Sequence, residues 1–313
     1  MFDGVQSPPM AELRVVVSGA GRVGRLIAEA VAAEDDMSPV AVLARASEGV
    51  QSQAMSELRV VVSGAGKMGR QIAEAVAAED DMSAVAFLDG LATTGKAGHL
   101  PVYSDIATCL DDKSPDVVID FTNAAWTPGL AEAALERGIR LVIGTSGLSG
   151  EFTAWLENEA KRRSTGVVVA ANFAIGAVLM MYFAKQAARF FDNAEIIELH
   201  HDQKVDAPSG TAKMTAELMR DARETAFTYP RTEKETLPNA RGAELGGIAI
   251  HSVRLPGLVA HQEVIFGGLG QTLTIRHDTT GRDSFMPGVV MATREVMKLD
   301  RLVVGLDQLF GLG

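Results

Sequence analysis

Cysteine is all but missing: Cys109 is the single thiol in 313 residues. One thiol cannot close an internal disulfide, which argues against a stapled secreted scaffold and fits a reducing cytosol. The thiol itself reads as a small buried hydrophobe. Positive charge is scarce too, with 29 Lys and Arg against 40 Asp and Glu and a net charge of -11. That balance opposes general attraction to nucleic acid or to an anionic membrane, so an anionic substrate needs a local basic pocket. No export signal is expected, because the opening MFDGVQSPPM puts an Asp and two prolines where a signal peptide has a basic start and an apolar run. The nearest thing to a membrane span is Val167 to Ala184, apolar apart from Asn172. A strand over Val167 to Val169, a break at Asn172 and a buried helix from Ile175 to Phe191 account for it. The expectation is a cytoplasmic globular protein with no membrane or nucleic-acid partner. Its apolar fraction of 47% supplies core enough for two domains.

What is present begins with a repeat. Glu12 to Leu43 recurs at Glu57 to Leu88 with an offset of 45 residues, and only Arg22/Lys67, Val23/Met68, Leu26/Gln71, Pro39/Ala84 and Val42/Phe87 differ. Two near-identical copies point to a recent duplication, since a solenoid needs three repeats or more. Only the second copy runs directly into further strands and helices; the first is followed by the polar linker Ala46 to Ser56. The second is therefore the expected working copy, and a swap between the copies is the rival arrangement.

From the second copy onward the pattern alternates as in an α/β fold, a Rossmann-like parallel sheet with helices on both faces. Strands are expected at Leu58 to Ser63, Ala84 to Leu88, Val117 to Phe121, Leu141 to Ile143 and Val167 to Ala170. Helices are expected at Met68 to Ala78, Gly129 to Arg137 and Glu151 to Arg163. Beyond Asn172 come a long helix, a strand over Glu195 to His200 and a helix from Thr211. Three adjacent strands follow at Ile248 to Leu255, Gln262 to Phe266 and Thr272 to Arg276, which implies a second α+β domain with a mixed sheet. Thr225 to Gly247 reads as an exposed loop and Phe285 to Lys298 as a last helix. The division is residues 1–54 as partial duplicate and linker, 55–172 with 285–313 as dinucleotide-binding domain, and 173–284 as substrate-binding and oligomerisation domain.

Gly64, Ala65, Gly66, Lys67, Met68 and Gly69 lie between a Val-rich strand and a helix, the context that gives a glycine pattern meaning. Gly64 permits the tight turn, Gly66 admits a pyrophosphate to the backbone, Gly69 lets helix and strand pack closely, and the helix N-terminus attracts the anion. Asp89 ends the next strand and can accept hydrogen bonds from ribose hydroxyls. NADH or NADPH is the expected cofactor. Asp89 disfavours a 2′-phosphate and Gly90 offers no arginine to capture one, while Lys67 offsets part of that penalty. The first copy keeps Gly19, Gly21 and Gly24 but has Ala44 in place of the acid; Arg45 beside it reads as a solvated linker charge.

The most informative segment runs Glu195-Ile-Ile-Glu-Leu-His200-His201-Asp202-Gln203-Lys204-Val-Asp206-Ala-Pro208-Ser209-Gly210-Thr211-Ala212. Lys204 and the histidines bring mobile protons and positive charge into an acidic protein, as a dicarboxylate requires. Ser209, Gly210 and Thr211 sit at a helix start, where N–H groups, hydroxyls and the dipole can clamp one carboxylate. A metal is not expected, since adjacent strand residues point to opposite faces and His200 and His201 would not reach one ion. His251, His261 and His277 read as core or interface residues.

This segment resembles the signature of the dihydrodipicolinate reductase family. Supporting matches are Asp120-Phe121-Thr122, Gly144-Thr145-Ser146-Gly147, Ala170-Ala171-Asn172-Phe173 and the region of Arg276-His277. The resemblance implies NAD(P)H-dependent reduction of a small dicarboxylate, with proton handling by His200 and Lys204 and substrate contacts from His201, Lys204, Gly210 and Thr211. It further implies nicotinamide-side contacts at Gly144, Thr145, Ser146, Ala170, Ala171, Asn172 and Phe173, and a homotetramer assembled through the second sheet. Ser146 stands where the family has a second Thr; the hydroxyl is kept. Two other readings stay open: a non-catalytic dinucleotide-binding regulator, and a related amino-acid dehydrogenase, because fold alone does not fix function.

Overall fold

The computed structural model describes residues 13–18, 37–43, 57–92 and 95–312. These fall into two units, Met1–Met55 and Ser56–Gly313. In the first, β1 (Leu13–Ser18) and β2 (Met37–Leu43) pair in parallel as a two-stranded sheet. The loop glycines of that copy, Ala44, Arg45 and the linker lie outside the described residues.

The second unit contains an eight-stranded sheet. Its strands are β3 (Leu58–Ser63), β4 (Met82–Leu88), β5 (Gly95–Ala97), β6 (Leu100–Tyr103), β7 (Val117–Asp120), β8 (Arg140–Ile143), β9 (Val167–Val169) and β15 (Leu302–Val304), in the order β15-β9-β8-β7-β3-β4-β6-β5. All neighbours are parallel except β5 and β6. Runs such as Val60–Val62 and Val117–Ile119 are wholly buried because helices cover both faces of a parallel sheet. β3 and β4 pair in the same register as β1 and β2, residue for residue at the repeat offset, yet only the second copy joins this sheet. The strand order reverses beside β3, with β4 on one side and β7 on the other, and that opens a crevice at the carboxyl ends of these strands.

The helices here are α1 (Lys67–Ala77), α2 (Ile106–Lys113), α3 (Thr127–Glu136) and α4 (Gly150–Arg163). Side-chain caps start two of them: Asp105 accepts the Thr108 N–H, and Ser149 accepts that of Phe152. α5 (Ile175–Ala187) then leads to a five-stranded mixed sheet built from β10 (Asn193–His200), β11 (Ala243–Leu245), β12 (Ile248–Arg254), β13 (Ala260–Gly268) and β14 (Gln271–Thr279), ordered β11-β12-β10-β13-β14. One face packs on α5 and α6 (Gly210–Asp221) through Ala184, Ala212, Ala216 and Met219 against Ile196, Ile250, Val264 and Phe266.

Several elements differ from expectation. The helix expected to reach Phe191 stops at Ala187; Phe190 turns outward at 81% exposure, while Phe191 packs on Phe266 with ring centroids 5.4 Å apart. The expected loop Thr225 to Gly247 contains the short edge strand β11. The last helix is α7 (Met286–Glu295), where Pro287 suits the first turn, flanked by 3₁₀ turns at Arg282–Phe285 and Val296–Lys298. The apolar stretch after Gly166 resolves into β9, a break and α5, and no helix among the described residues is long and apolar enough to cross a membrane.

Candidate active site

The glycine loop stands at the carboxyl end of β3. Gly64 has φ +100°, a backbone state that disfavours any side chain. A Cβ on Gly69 would lie 1.8 Å from the Gly64 carbonyl oxygen, so the helix meets the turn too closely for anything but glycine. A Cβ on Gly66 would meet nothing within 4 Å. Gly66 therefore faces open space at the helix N-terminus, where a pyrophosphate fits against bare backbone. Asp89 closes the loop: its Oδ2 accepts the Ala65 N–H at 2.9 Å and its Oδ1 that of Leu91 at 3.0 Å. Trp126 backs this corner, donating Nε1–H to the Ser63 hydroxyl at 3.1 Å, and its ring lies where a Cβ on Gly90 would fall. Lys67 and Ser146 are exposed.

The ends of β7 and β8 are held by Asp120, a wholly buried carboxylate. It accepts hydroxyl hydrogens from Thr122 at 2.7 Å, Thr127 at 2.6 Å and Thr145 at 3.1 Å, and Thr145 accepts the Thr122 N–H. Thr145 and Phe173 are buried, with Phe173 against Phe121 at 5.1 Å, so what they offer a cofactor is backbone rather than side chain. Gly144 is needed for the same packing, since a Cβ there would strike the Phe121 ring at 2.3 Å. Asn172 turns the chain after β9, its Oδ1 accepting the Ala174 N–H at 2.9 Å.

A cavity of about 60 Å³ lies where this region meets the second sheet, lined by His200, Ser209 and Thr211 with Asn172, His261 and His277 among others. Residues two apart on a strand share a face, which brings Glu198 and His200 together on the inner side of β10. Glu198 has no exposed side-chain surface. It receives the His200 ring at Nδ1 (2.5 Å), Arg254 through both terminal nitrogens (2.7 and 3.0 Å) and the Ser209 N–H (3.3 Å). Burial pushes the Glu198 carboxyl up, but the donors around it, Arg254 foremost, outweigh burial and hold it below the usual carboxylate range. Burial pushes the His200 imidazole down, against the pull of Glu198, and the nearby Lys204 and Arg254 add to the fall. Ser209 caps α6 by accepting the Ala212 N–H at 3.2 Å. The remaining first-turn donors, Gly210 and Thr211, are left for an anion.

Not every expected residue lines this cavity. His201 and Lys204 lie on the adjoining loop, His201 exposed and Lys204 paired with Asp206 at 2.7 Å. His261 and His277, expected as core or interface, also line the cavity, and strand register puts His277 on the same sheet face as Glu198 and His200. His261 contacts Asp278 through Nδ1 at 2.7 Å, and His277 packs over Gly176, where a Cβ would lie 2.5 Å from the ring. His251 contacts Glu195 at 2.8 Å. Arg254 gave no signal as a site residue in the sequence, while Glu198 and Asp120 stood in the Glu195–Ala212 segment and the Asp120-Phe121-Thr122 match without a role of their own. The i, i+2 spacing of Glu198 and His200 on a strand was the one clue available.

Family models place the chain. The dihydrodipicolinate reductase N-terminal model matches residues 58–173, and the C-terminal model matches residues 176–310. The chain belongs to the dihydrodipicolinate reductase family. Among relatives, the 4-hydroxy-tetrahydrodipicolinate reductase of Bacillus cereus (strain B4264) is 53% identical over 211 residues, covering 67% of this chain and 79% of the relative. That of Geobacillus kaustophilus (strain HTA426) is 54% identical over 209 residues, with the same coverage. The dipicolinate-bound dihydrodipicolinate reductase of Paenisporosarcina sp. TG-14 superposes with a TM-score of 0.75 at 42% identity, covering 80% of this chain and 98% of that one. An amine dehydrogenase from Mycobacterium smegmatis, at 14% identity and a TM-score of 0.57, shares the fold alone. The reductase family match includes the second copy of the repeat and leaves residues 1–57 outside it.

Proposed function

We propose that this chain reduces 4-hydroxy-tetrahydrodipicolinate to tetrahydrodipicolinate with NADH or NADPH, a step of lysine and diaminopimelate biosynthesis. As a dihydrodipicolinate reductase family member it is an NAD(P)H-dependent oxidoreductase. The observation that carries the site assignment is the meeting of His200 with Ser209 and Thr211 in one cavity beside Asn172. The Paenisporosarcina relative with dipicolinate bound supports a planar dicarboxylate as the occupant. The regulator and amino-acid dehydrogenase readings are not favoured, since neither calls for this set of residues.

The Gly64–Gly69 loop and Asp89 would hold the adenosine and pyrophosphate end of the cofactor. The backbone at Gly144, Thr145 and Ser146 and at Ala170, Ala171, Asn172 and Phe173 would flank its nicotinamide. A bound nicotinamide dinucleotide supplies the hydride. The conversion adds one hydride and one proton and releases one water, so negative charge arriving on the ring must be met by an acid. His200, with Lys204 once it leaves Asp206, handles that proton. The Gly210 and Thr211 N–H groups and hydroxyl at the α6 N-terminus grip one carboxylate, with His201 and Lys204 at the substrate's rim. The proposed division assigns 55–172 with 285–313 to the cofactor and 173–284 to substrate and assembly. It includes a cytoplasmic homotetramer, for which light scattering should give four chains.

The test follows loss of NADH with the condensation product of pyruvate and aspartate semialdehyde. Wild type should turn over, while His200→Gln and Lys204→Ala should each lose ~10²- to 10⁴-fold in kcat, the usual contribution of a general acid, with unchanged melting. NADH binding without any turnover by the wild-type chain would contradict the assignment.

A further inference from the structure

We propose that Glu198 is the positioning residue of the proton-handling site: its carboxylate fixes His200 with hydrogen on Nδ1, and through Arg254 and Ser209 it ties the Lys204 loop and the α6 N-terminus to that imidazole. The proposal rests on the reductase reading and extends it to Glu198, a residue of the Glu195–Ala212 segment to which the resemblance assigns no role.

The geometry is specific. Glu198 Oε2 is 2.5 Å from His200 Nδ1 and 3.0 Å from Arg254 Nη1, and Oε1 takes Arg254 Nη2 at 2.7 Å and the Ser209 N–H at 3.3 Å. A carboxylate beside Nδ1 accepts a hydrogen from it, so neutral His200 is left with Nε2 as its one free ring nitrogen. Arg254 Nη2 also donates to the Asp206 carbonyl at 2.8 Å, and Asp206 holds Lys204. One buried carboxylate thus links three parts: the histidine, the lysine loop and the anion-binding helix end.

The energetics favour a role beyond stability. Replacing a buried ion pair by well-packed apolar side chains is often neutral or stabilising, so a Glu–Arg pair with its carboxylate wholly buried and its arginine largely so is weak as a device for holding the sheet together. This pair stands behind two residues that line the cavity, and its carboxylate contacts both, His200 at Nδ1 and Ser209 at its N–H. A buried acid that holds a histidine tautomer and supports the imidazolium is an established catalytic arrangement on other folds. The titratable and charged groups facing His200 are Glu198 on its own strand, Arg254 on β12, His261 on β13 with Asp278 on β14, His277 on β14, and Lys204 with Asp206 on the loop. α5 and α6 present no charge there, only Ala177, Met180, Ser209 and Thr211.

Two readouts test it in the full-length protein. In chain labelled with ¹⁵N-histidine, imidazole long-range NMR should report neutral His200 as the Nδ1–H tautomer, the signal being assigned by its loss in His200→Gln. Glu198→Gln should shift the His200 titration to lower pH, because the group that favours the imidazolium is gone. It should also lower kcat ~10-fold or more, out of the ~10²- to 10⁴-fold typical of general acid catalysis, with the NADH dissociation constant within about twofold of wild type. Glu198→Asp, which retains the charge, should recover part of kcat; it also serves if Glu198→Gln fails to fold beside Arg254. An Nε2–H tautomer in the wild-type protein overturns the proposal, as does unchanged titration and kcat in a folded Glu198→Gln. The tautomer is read without turnover, so an inactive wild type would sink the reductase reading while leaving this measurement decisive.

Discussion

Substituting Gly69 and Gly66 should break different things. Gly69→Ala puts a methyl 1.8 Å from the Gly64 carbonyl, and overpacking of this kind typically costs ~1–3 kcal/mol, so the apo melting temperature should fall. Gly66→Val finds open space in the apo protein and should leave melting unchanged while weakening NADH binding, which calorimetry and thermal melts together separate. Cofactor choice is set at the same corner. Asp89 repels a 2′-phosphate, and the Trp126 ring lies 2.3 Å from where a Cβ on Gly90 would fall. NADH should therefore be used at least as well as NADPH, and Gly90→Arg should gain NADPH activity only when Trp126 is also made small. Kinetics under equal conditions with both cofactors check this, and a strong wild-type preference for NADPH would count against it. The glycine loop and His200 to Thr211 were legible in the sequence because each is a local string with its own chemistry. Arg254 was not, since it meets Glu198 only through strand pairing 56 residues away, and nothing local marks it. The place of His277 at the cavity was not legible for the same reason: its strand was evident, but which face met the cavity was not.

At the level of elements, the Val-rich strands of the parallel sheet could be read directly, because strands buried on both faces are continuous apolar runs. The pieces that escaped were β5, β6, β11 and β15 together with α2. The four strands are only three or four residues long and draw their stability from a neighbour's backbone, as β15 does from β9. α2 carried a readable sign, Asp105 three residues before Thr108, whose N–H it caps. The C-terminal helix is joined to the connection between α1 and β4 by Arg294, which reaches Glu79 and Asp81 at 2.7 Å each. The hydrogen bond from Arg294 holds the Asp81 carboxyl below its ordinary 3.8. A carboxyl lowered in the folded state stabilises above its unfolded value, and that contribution is lost as pH falls through the folded one. Arg294→Met should accordingly lower the melting temperature slightly near neutral pH, since partly exposed pairs contribute ~0.2–1 kcal/mol, and the gap from wild type should close as pH drops below about 3.8. A gap that persists or widens in acid would show that packing, not the ion pair, carries the effect.

At the scale of the whole molecule the duplication is the open question of design. The second copy sits within the large sheet between β7 and β6, with Asp89 at its end, while the first forms its own two-stranded sheet. That arrangement agrees with the second copy being the one in use, and short local connections explain why it wins over a long bypass. If the first copy entered the sheet instead, Ala44 would replace Asp89 and the ribose acid would be lost. Gly66→Val should thus damage the full-length protein more than Gly21→Val. The most direct test of the account is the steady-state rate of NADH loss, with the pyruvate and aspartate semialdehyde condensation product, for a chain beginning at Met55 beside the full chain. A reductase carried wholly by the second unit should turn over at least as fast without the first 54 residues. A truncated chain that folds and binds NADH but has lost its activity would contradict it.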